Sequence, residues 1–121
     1  MIGIDIEDIH RFEGKDKDSD KEFLAKIFTQ AEVDYSFSNK NYASHLTARF
    51  CAKEAVIKAL CGIGITGIFM KQVEIYHDEN SCPQVKFIGL DIAHKIYISL
   101  SHEKDKAIAV AMIEKDSPKK D

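Results

Sequence analysis

Leu46-Thr47-Ala48-Arg49-Phe50-Cys51-Ala52-Lys53-Glu54-Ala55-Val56-Ile57-Lys58-Ala59-Leu60 holds no glycine, no proline and no β-branched run longer than Val56-Ile57. Most of its residues are good helix formers, so the stretch predicts a helix. At about 100° per residue, Leu46, Phe50, Val56, Ile57 and Leu60 make one large apolar arc, while Ala48, Ala52, Ala55 and Ala59 make a face of small residues. A helix apolar on two sides is expected to be buried on both. Arg49 and Lys53 fall inside the large arc, and Glu54 and Lys58 sit together at its edge. An unpaired buried charge costs several kcal/mol, so each of these needs water, an ion pair or a ligand. Two readings stand at this point. Either Arg49 and Lys53 snorkel to solvent and Glu54 pairs with Lys58 at i,i+4, or the charges meet a ligand.

The rest of the composition narrows the setting. A chain of 121 residues makes one domain, small for enclosing a deep pocket alone. A net charge of −3 speaks against a general nucleic-acid binder, and no apolar run approaches the roughly 20 residues of a membrane span. Met1-Ile2-Gly3-Ile4-Asp5 enters a strand pattern at once, without a signal-like segment. Cys51, Cys61 and Cys82 are odd in number and lack metal-ligand spacing, which fits a reducing cytosol and argues against zinc or disulfides. A catalytic Cys51 is disfavoured by its apolar helical neighbours.

Around the helix the chain reads in order. Residues 2–9 alternate, with Ile2, Ile4 and Ile6 on one side and Gly3, Asp5 and Glu7 on the other, predicting a short strand with an acidic outer side. A charged loop follows, and then capping-box patterns at Ser19/Glu22 and Thr29/Glu32 open two short helices. Gly62-Ile63-Gly64-Ile65-Thr66-Gly67 closes the long helix, with a left-handed glycine expected at Gly62. This loop is either a plain turn or a place where backbone amides approach a phosphate. Val73 and Ile75 then pair with Val85 and Phe87 in a predicted hairpin. Ile96, Ile98 and Leu100 pair with Ile108, Val110 and Met112 in another. The small row Ala107, Ala109, Ala111 is expected against the alanine side of the long helix. The outcome is an α+β fold, an antiparallel sheet with a long central helix and shorter N-terminal helices, as one domain over 1–113 with a polar tail at 114–121.

Three stretches together resemble the holo-[acyl-carrier-protein] synthases, the small bacterial 4′-phosphopantetheinyl transferases. Ile2-Gly3-Ile4-Asp5-Ile6 is similar to their G-x-D-[IL] opening strand. Arg49 to Ala59 matches their R-F-x-A-K-E-A-x-x-K-A helix, and Ser99-Leu100-Ser101-His102 is similar to their S-[IL]-[ST]-H strand end. The resemblance implies the fold of that family and transfer of the 4′-phosphopantetheine arm of coenzyme A to a serine of apo-acyl carrier protein in fatty acid biosynthesis. It implies Mg²⁺ held by Asp5 and Glu54, an ion that takes one or two carboxylates plus phosphate and water. It further implies Lys58 on the pyrophosphate, Lys53 near the transferring phosphate, Arg49 and His102 on the ribose 3′-phosphate, and Gly62 opening the phosphate-side loop. Asp5, Glu54 and Lys58 would be the catalytic set, with Asp5 organising a water that receives the serine proton. A homotrimer with shared active sites is implied as well. It fits the apolar C-terminal strands, which carry more apolar faces than one helix layer covers.

Two departures from the family pattern stand out. Arg11, Lys21 and Lys26 are placed to meet an acidic carrier, but Asp16, Asp18, Asp20 and Glu22 crowd the same region. The glycine loop reads Cys61-Gly62-Ile63-Gly64 where the family commonly has G-T-G. Two other readings compete with the transferase. One is a non-catalytic coenzyme A or nucleotide-binding module of the same fold. The other is a structural oligomer whose charges are simple ion pairs.

Overall fold

A computed structural model describes residues 1–114 of the chain. It runs β1 (Ile2–Asp8), α1 (Lys21–Ala25), α2 (Gln30–Phe37) and α3 (Tyr42–Cys61), then β2 (Val73–His77), β3 (Pro83–Phe87), β4 (Ile96–Glu103) and β5 (Lys106–Ile113). A single 3₁₀ turn, Met70–Gln72, leads into β2. The helix read first is α3, which packs against a three-stranded antiparallel sheet of order β1-β5-β4. β2 and β3 form the separate hairpin expected, with Val73 opposite Phe87 and Ile75 opposite Val85. Of the expected tail, only Glu114 lies within the described residues; it donates its N–H to the carbonyl of Lys95.

The sheet differs from the sequence reading in one systematic way. Ile98 lies opposite Ala111 and Leu100 opposite Ala109, not opposite the large residues of β5. Directly opposed residues share a face, so Ile98, Leu100, Ala109, Ala111 and, on β1, Gly3 and Asp5 all look toward α3. The side of β1 expected to face solvent is the inner one, while Ile2, Ile4 and Ile6 stand 55–63 % exposed on the outer face. The cause is the closeness of helix and sheet. Ala52, Ala55 and Ala59 are fully buried against Ala109 and Ala111. A Cβ added at Gly3 would collide with the carbonyl of Ala55 and come within 2.7 Å of the Ala59 nitrogen. Only small side chains fit that layer, so the isoleucines are turned outward.

A second core joins the N-terminal helices to α3. Phe12, Leu24, Phe28, Val33, Leu46 and Phe50 bury together, with Phe12 edge-on to both Phe28 and Phe50. The Thr29/Glu32 capping box forms as predicted. The one expected at Ser19/Glu22 does not: α1 starts two residues after Ser19, whose hydroxyl donates to Asp16 at 2.7 Å instead. Competition of this kind for a serine hydroxyl is local, and the short helix has little propagation to outweigh it. Gly62 takes a right-handed φ of −63°, and the left-handed position falls on Gly64 at +87°.

Candidate active site

β1 and α3 bring their charged side chains together along one edge of the sheet. Asp5 points at the helix with its side chain only 10 % exposed, and Lys58 Nζ donates to Asp5 Oδ1 at 2.9 Å and to the Ile4 carbonyl at 3.1 Å. Asp5 Oδ2 is buried without a partner. The charges of Asp5, Glu54 and Glu7 all act on the Lys58 ammonium. Its proton is held more tightly than usual, chiefly by the hydrogen bond to Asp5. Asp5 and Glu54, about fifty positions apart in the chain, thus both act on the Lys58 ammonium.

Glu7 belongs to this group and was not singled out from the sequence. Lying two residues after Asp5 on a strand, it shares its face, and that period was the available signal. Burial first, then the adjoining Asp5 carboxyl and the Glu54 charge, raise the Glu7 carboxyl above its usual range; Arg11, 3.0 Å away, opposes the rise. A buried carboxylate oxygen without a donor, beside two further acids, is a set of hard oxygen ligands short of positive charge. That fits a small divalent cation such as Mg²⁺. No group of three or more His, Cys, Asp or Glu among the described residues is arranged to cage a metal. Two carboxylates suit an ion that completes its shell with water and phosphate.

The other expected residues separate. Arg49 is 3 % exposed yet has no carboxylate within ion-pair distance among the described residues. Its guanidinium lies 4.4 Å over the Tyr35 ring, reaches the His45 carbonyl at 3.4 Å and His77 Nδ1 at 3.3 Å, and leaves Nε unpaired. Burial lowers its pKa. It lines an open cleft of about 460 Å³ that Leu100, Ser101 and His102 of β4 also line, so Arg49 and His102 share one cleft. Nine residues on a helix turn through about 180° and rise about 13.5 Å. Arg49 and Lys58 accordingly look away from opposite sides of α3.

Lys53 corrects the expectation that put it near a transferring phosphate. It is fully buried, 2.6 Å from Glu32, and donates to the Met70 and Val73 carbonyls at 2.9 and 2.6 Å. Burial pulls the Lys53 pKa down and pushes that of Glu32 up, and each holds the other charged. Glu32 also accepts from Ile75 N–H at 2.9 Å. The pair thus ties α3, α2 and β2 together as an interior clamp, remote from the Asp5 group.

Gly62 is also changed in role. Its N–H goes back to Lys58 O, and the amides of Ile63, Gly64 and Ile65 go to Leu60, Cys61 and Leu60 carbonyls. These amides close the helix and are not turned to a ligand. Any phosphate on this loop must use the stretch after Ile65. Cys51 is not a nucleophile: it donates to the Asp5 carbonyl at 3.2 Å, and burial together with Asp5 raises its pKa to about 12.

Comparison with known proteins accords with this geometry. The family described as the 4′-phosphopantetheinyl transferase superfamily matches residues 1–111. A holo-[acyl-carrier-protein] synthase of Thermodesulfovibrio yellowstonii is 41 % identical over 112 residues, 93 % of this chain and 96 % of that protein. One from Clostridium botulinum is 40 % identical over 120 residues, 93 % and 95 % of the two chains. Among solved structures, the Helicobacter pylori holo-[acyl-carrier-protein] synthase in complex with coenzyme A superposes with a TM-score of 0.74 at 28 % identity, covering 94 % of this chain and 100 % of that one. The Bacillus anthracis synthase in complex with CoA (3′,5′-ADP) gives 0.74 at 26 % identity over 95 % and 96 %. With a family match over residues 1–111 and relatives of this identity along nearly the whole chain, the protein belongs to the 4′-phosphopantetheinyl transferase superfamily, among the holo-[acyl-carrier-protein] synthases.

Proposed function

We propose that this chain moves the 4′-phosphopantetheine arm of coenzyme A onto a serine hydroxyl of an apo-acyl carrier protein and releases 3′,5′-ADP. The observation that carries the reading is the meeting of Asp5, Glu54 and Lys58 beside a buried, unpartnered Asp5 oxygen. Asp5 and Glu54 would hold Mg²⁺. When bound, the ion neutralises charge on the pyrophosphate oxygens. Lys58, half exposed and certain to be charged beside Asp5, is placed to hold a pyrophosphate oxygen on the solvent side. Asp5 would be the group that organises the water receiving the serine proton. Carrier protein incubated with this protein, coenzyme A and Mg²⁺ is expected to gain the mass of one phosphopantetheine arm, and to stay unmodified with chelator. An unmodified carrier under both conditions would refute the transferase. Binding of coenzyme A without transfer would leave the non-catalytic module.

Arg49 supports the anion-binding half. A guanidinium this buried without a carboxylate is stabilised when a phosphate arrives, because Arg matches phosphate oxygens in a bidentate fork. Arg49→Met, which keeps the volume, is expected to weaken 3′,5′-ADP binding at least about tenfold while leaving the unfolding midpoint little changed, since a desolvated charge is removed. Calorimetry and thermal melts of the same sample check both halves.

The Asp5 group stands at the β1 edge and the Arg49 cleft at the β4 edge of one sheet, on opposite sides of α3. One coenzyme A bridging both kinds of site is best served by two copies of the chain, each supplying one half. The outer sheet face supports such an assembly: Ile2, Ile4, Ile6, Tyr97, Val110 and Met112 are 37–63 % exposed on one surface. Water-exposed apolar patches of this kind mark interfaces, and a homotrimer with shared sites is the reading we adopt. Ile4→Lys is expected to shift sedimentation from trimer to monomer and to abolish transfer with it.

For the carrier, Phe69 (72 % exposed) and Phe23 (43 %) stand near Lys26, Lys71 and Lys15. Asp16 spends one oxygen on three donors from Asp18 and Ser19, and Asp20 accepts from Asp16 N–H. These bonds hold Asp16 below its usual carboxylate range and fix its place in the turn, so its charge stays on this surface beside the lysines and the exposed phenylalanines. An acyl-carrier substrate supports fatty acid biosynthesis as the setting of the proposed transfer. No helix among the described residues is long and apolar enough to cross a membrane.

A further inference from the structure

His45 and His77 have no task in the transfer as described above, yet both face the Arg49 cleft. His45 lies one turn before Arg49 on α3, and His77 ends β2. Their rings flank that of Tyr35 at 5.6 and 6.0 Å, with the Arg49 guanidinium against the same ring. Arginine only donates, so His77 Nδ1, 3.3 Å from Arg49 Nη2, accepts and the ring is neutral with its proton on Nε2. His102 and Ser101 approach from β4 across the cleft. The lining thus holds one arginine and three histidines, and neither an Asp nor a Glu.

The carboxylates nearest to these rings are already engaged. Asp78, next to His77, accepts from the Asn80 and Cys82 amides and the Gln84 side chain. Glu32 is bound to Lys53, and Glu74 accepts the Thr29 hydroxyl at 2.6 Å. None of these acids lines the cleft, and Asp78 opposes only part of the lowering of the His77 pKa. We propose that His45 and His77 each serve as proton-accepting phosphate ligands, becoming charged when a phosphomonoester enters beside Arg49, so that the ligand binds with uptake of protons. The electrostatics of the cleft support this. Burial first, then the Arg49 charge, hold both histidines below their usual range, so at neutral pH they are uncharged. A phosphate dianion reverses the sign of that field and favours the imidazolium forms. The extra positive charge then appears only when the anion is present, and Arg49 is spared a permanent pair of cationic neighbours.

This inference deepens the proposed function and rests on it, since the phosphomonoester is taken to be the 3′-phosphate of coenzyme A. The test is titration calorimetry of the intact protein with 3′,5′-ADP between pH 6.5 and 8.5, where a phosphate with a second pKa of about 6 stays largely dianionic. Running it in buffers of different ionisation heat counts the protons taken up. Affinity is expected to fall as pH rises, by up to about tenfold per pH unit for each proton. In the His45→Gln/His77→Gln double variant, Gln still offers Arg49 an acceptor but takes no proton. Its pH slope and proton count are expected to drop to at most half of the parent values, with His102 left in place. NMR titration of the parent should show both ring pKa values rising on ligand addition. Binding without proton uptake, or uptake unchanged in the double variant, would overturn the inference and leave the transferase reading standing. Failure of 3′,5′-ADP to bind at any pH would remove both.

Discussion

Glu54→Gln is expected to lower phosphopantetheine transfer by at least about 10²- to 10³-fold, the size seen when one preorganised electrostatic partner of a transition state is removed. The fold should survive it. Glu54 makes no ion pair within 4 Å among the described residues, and its charge adds to the repulsion around Asp5 and Glu7. The midpoint of thermal unfolding without metal is expected to stay the same or rise slightly, while the midpoint gained on adding Mg²⁺ should shrink. Carrier mass conversion measures the first effect, and melts with and without Mg²⁺ the second. Full activity in Glu54→Gln would place the reaction's charge stabilisation elsewhere.

The largest effect on stability is expected at Lys53. Lys53→Ala leaves Glu32 buried without its cation and opens space in the core, which costs about 3–5 kcal/mol. Much of that belongs to the stranded carboxylate and not to the pair itself. The double variant Lys53→Met/Glu32→Gln should therefore recover a large part, because methionine refills the stem volume and glutamine keeps an acceptor for the Ile75 or Thr29 amide. Urea unfolding of the two single variants and the double variant gives the coupling directly. A single-variant loss near zero would mean that Lys53 reaches solvent, against its complete burial here.

Much of the molecule was legible in advance. α3 runs Tyr42 to Cys61 over the helix pattern, the Thr29/Glu32 box forms, and β2 and β3 pair as the expected hairpin. Each rests on neighbours three or four residues apart, or on a short turn, so local sequence carries the information. Motif spacing singled out Asp5, Glu54 and Lys58, but it did not give the side of β1 on which Asp5 lies. His45 was within reach once Arg49 was singled out, being one turn away on the same helix, whereas His77 reaches the cleft from a strand and had no local signal.

What the chain by itself determined is which residues form which elements, and that a helix crowded with alanine must lie close to something. Only tertiary structure decided which side of β1 looks inward, because a period of two is the same pattern on either face. The contact between Gly3 and the backbone of α3 settled it, turning Asp5 and Glu7 to the helix and the isoleucines to the outside. The same step separated two lysines one turn and a half apart on α3. Lys53 turned into an interior clamp with Glu32, and Lys58 reached the acids at the sheet edge, since burial and partners are properties of packing that no spacing rule contains.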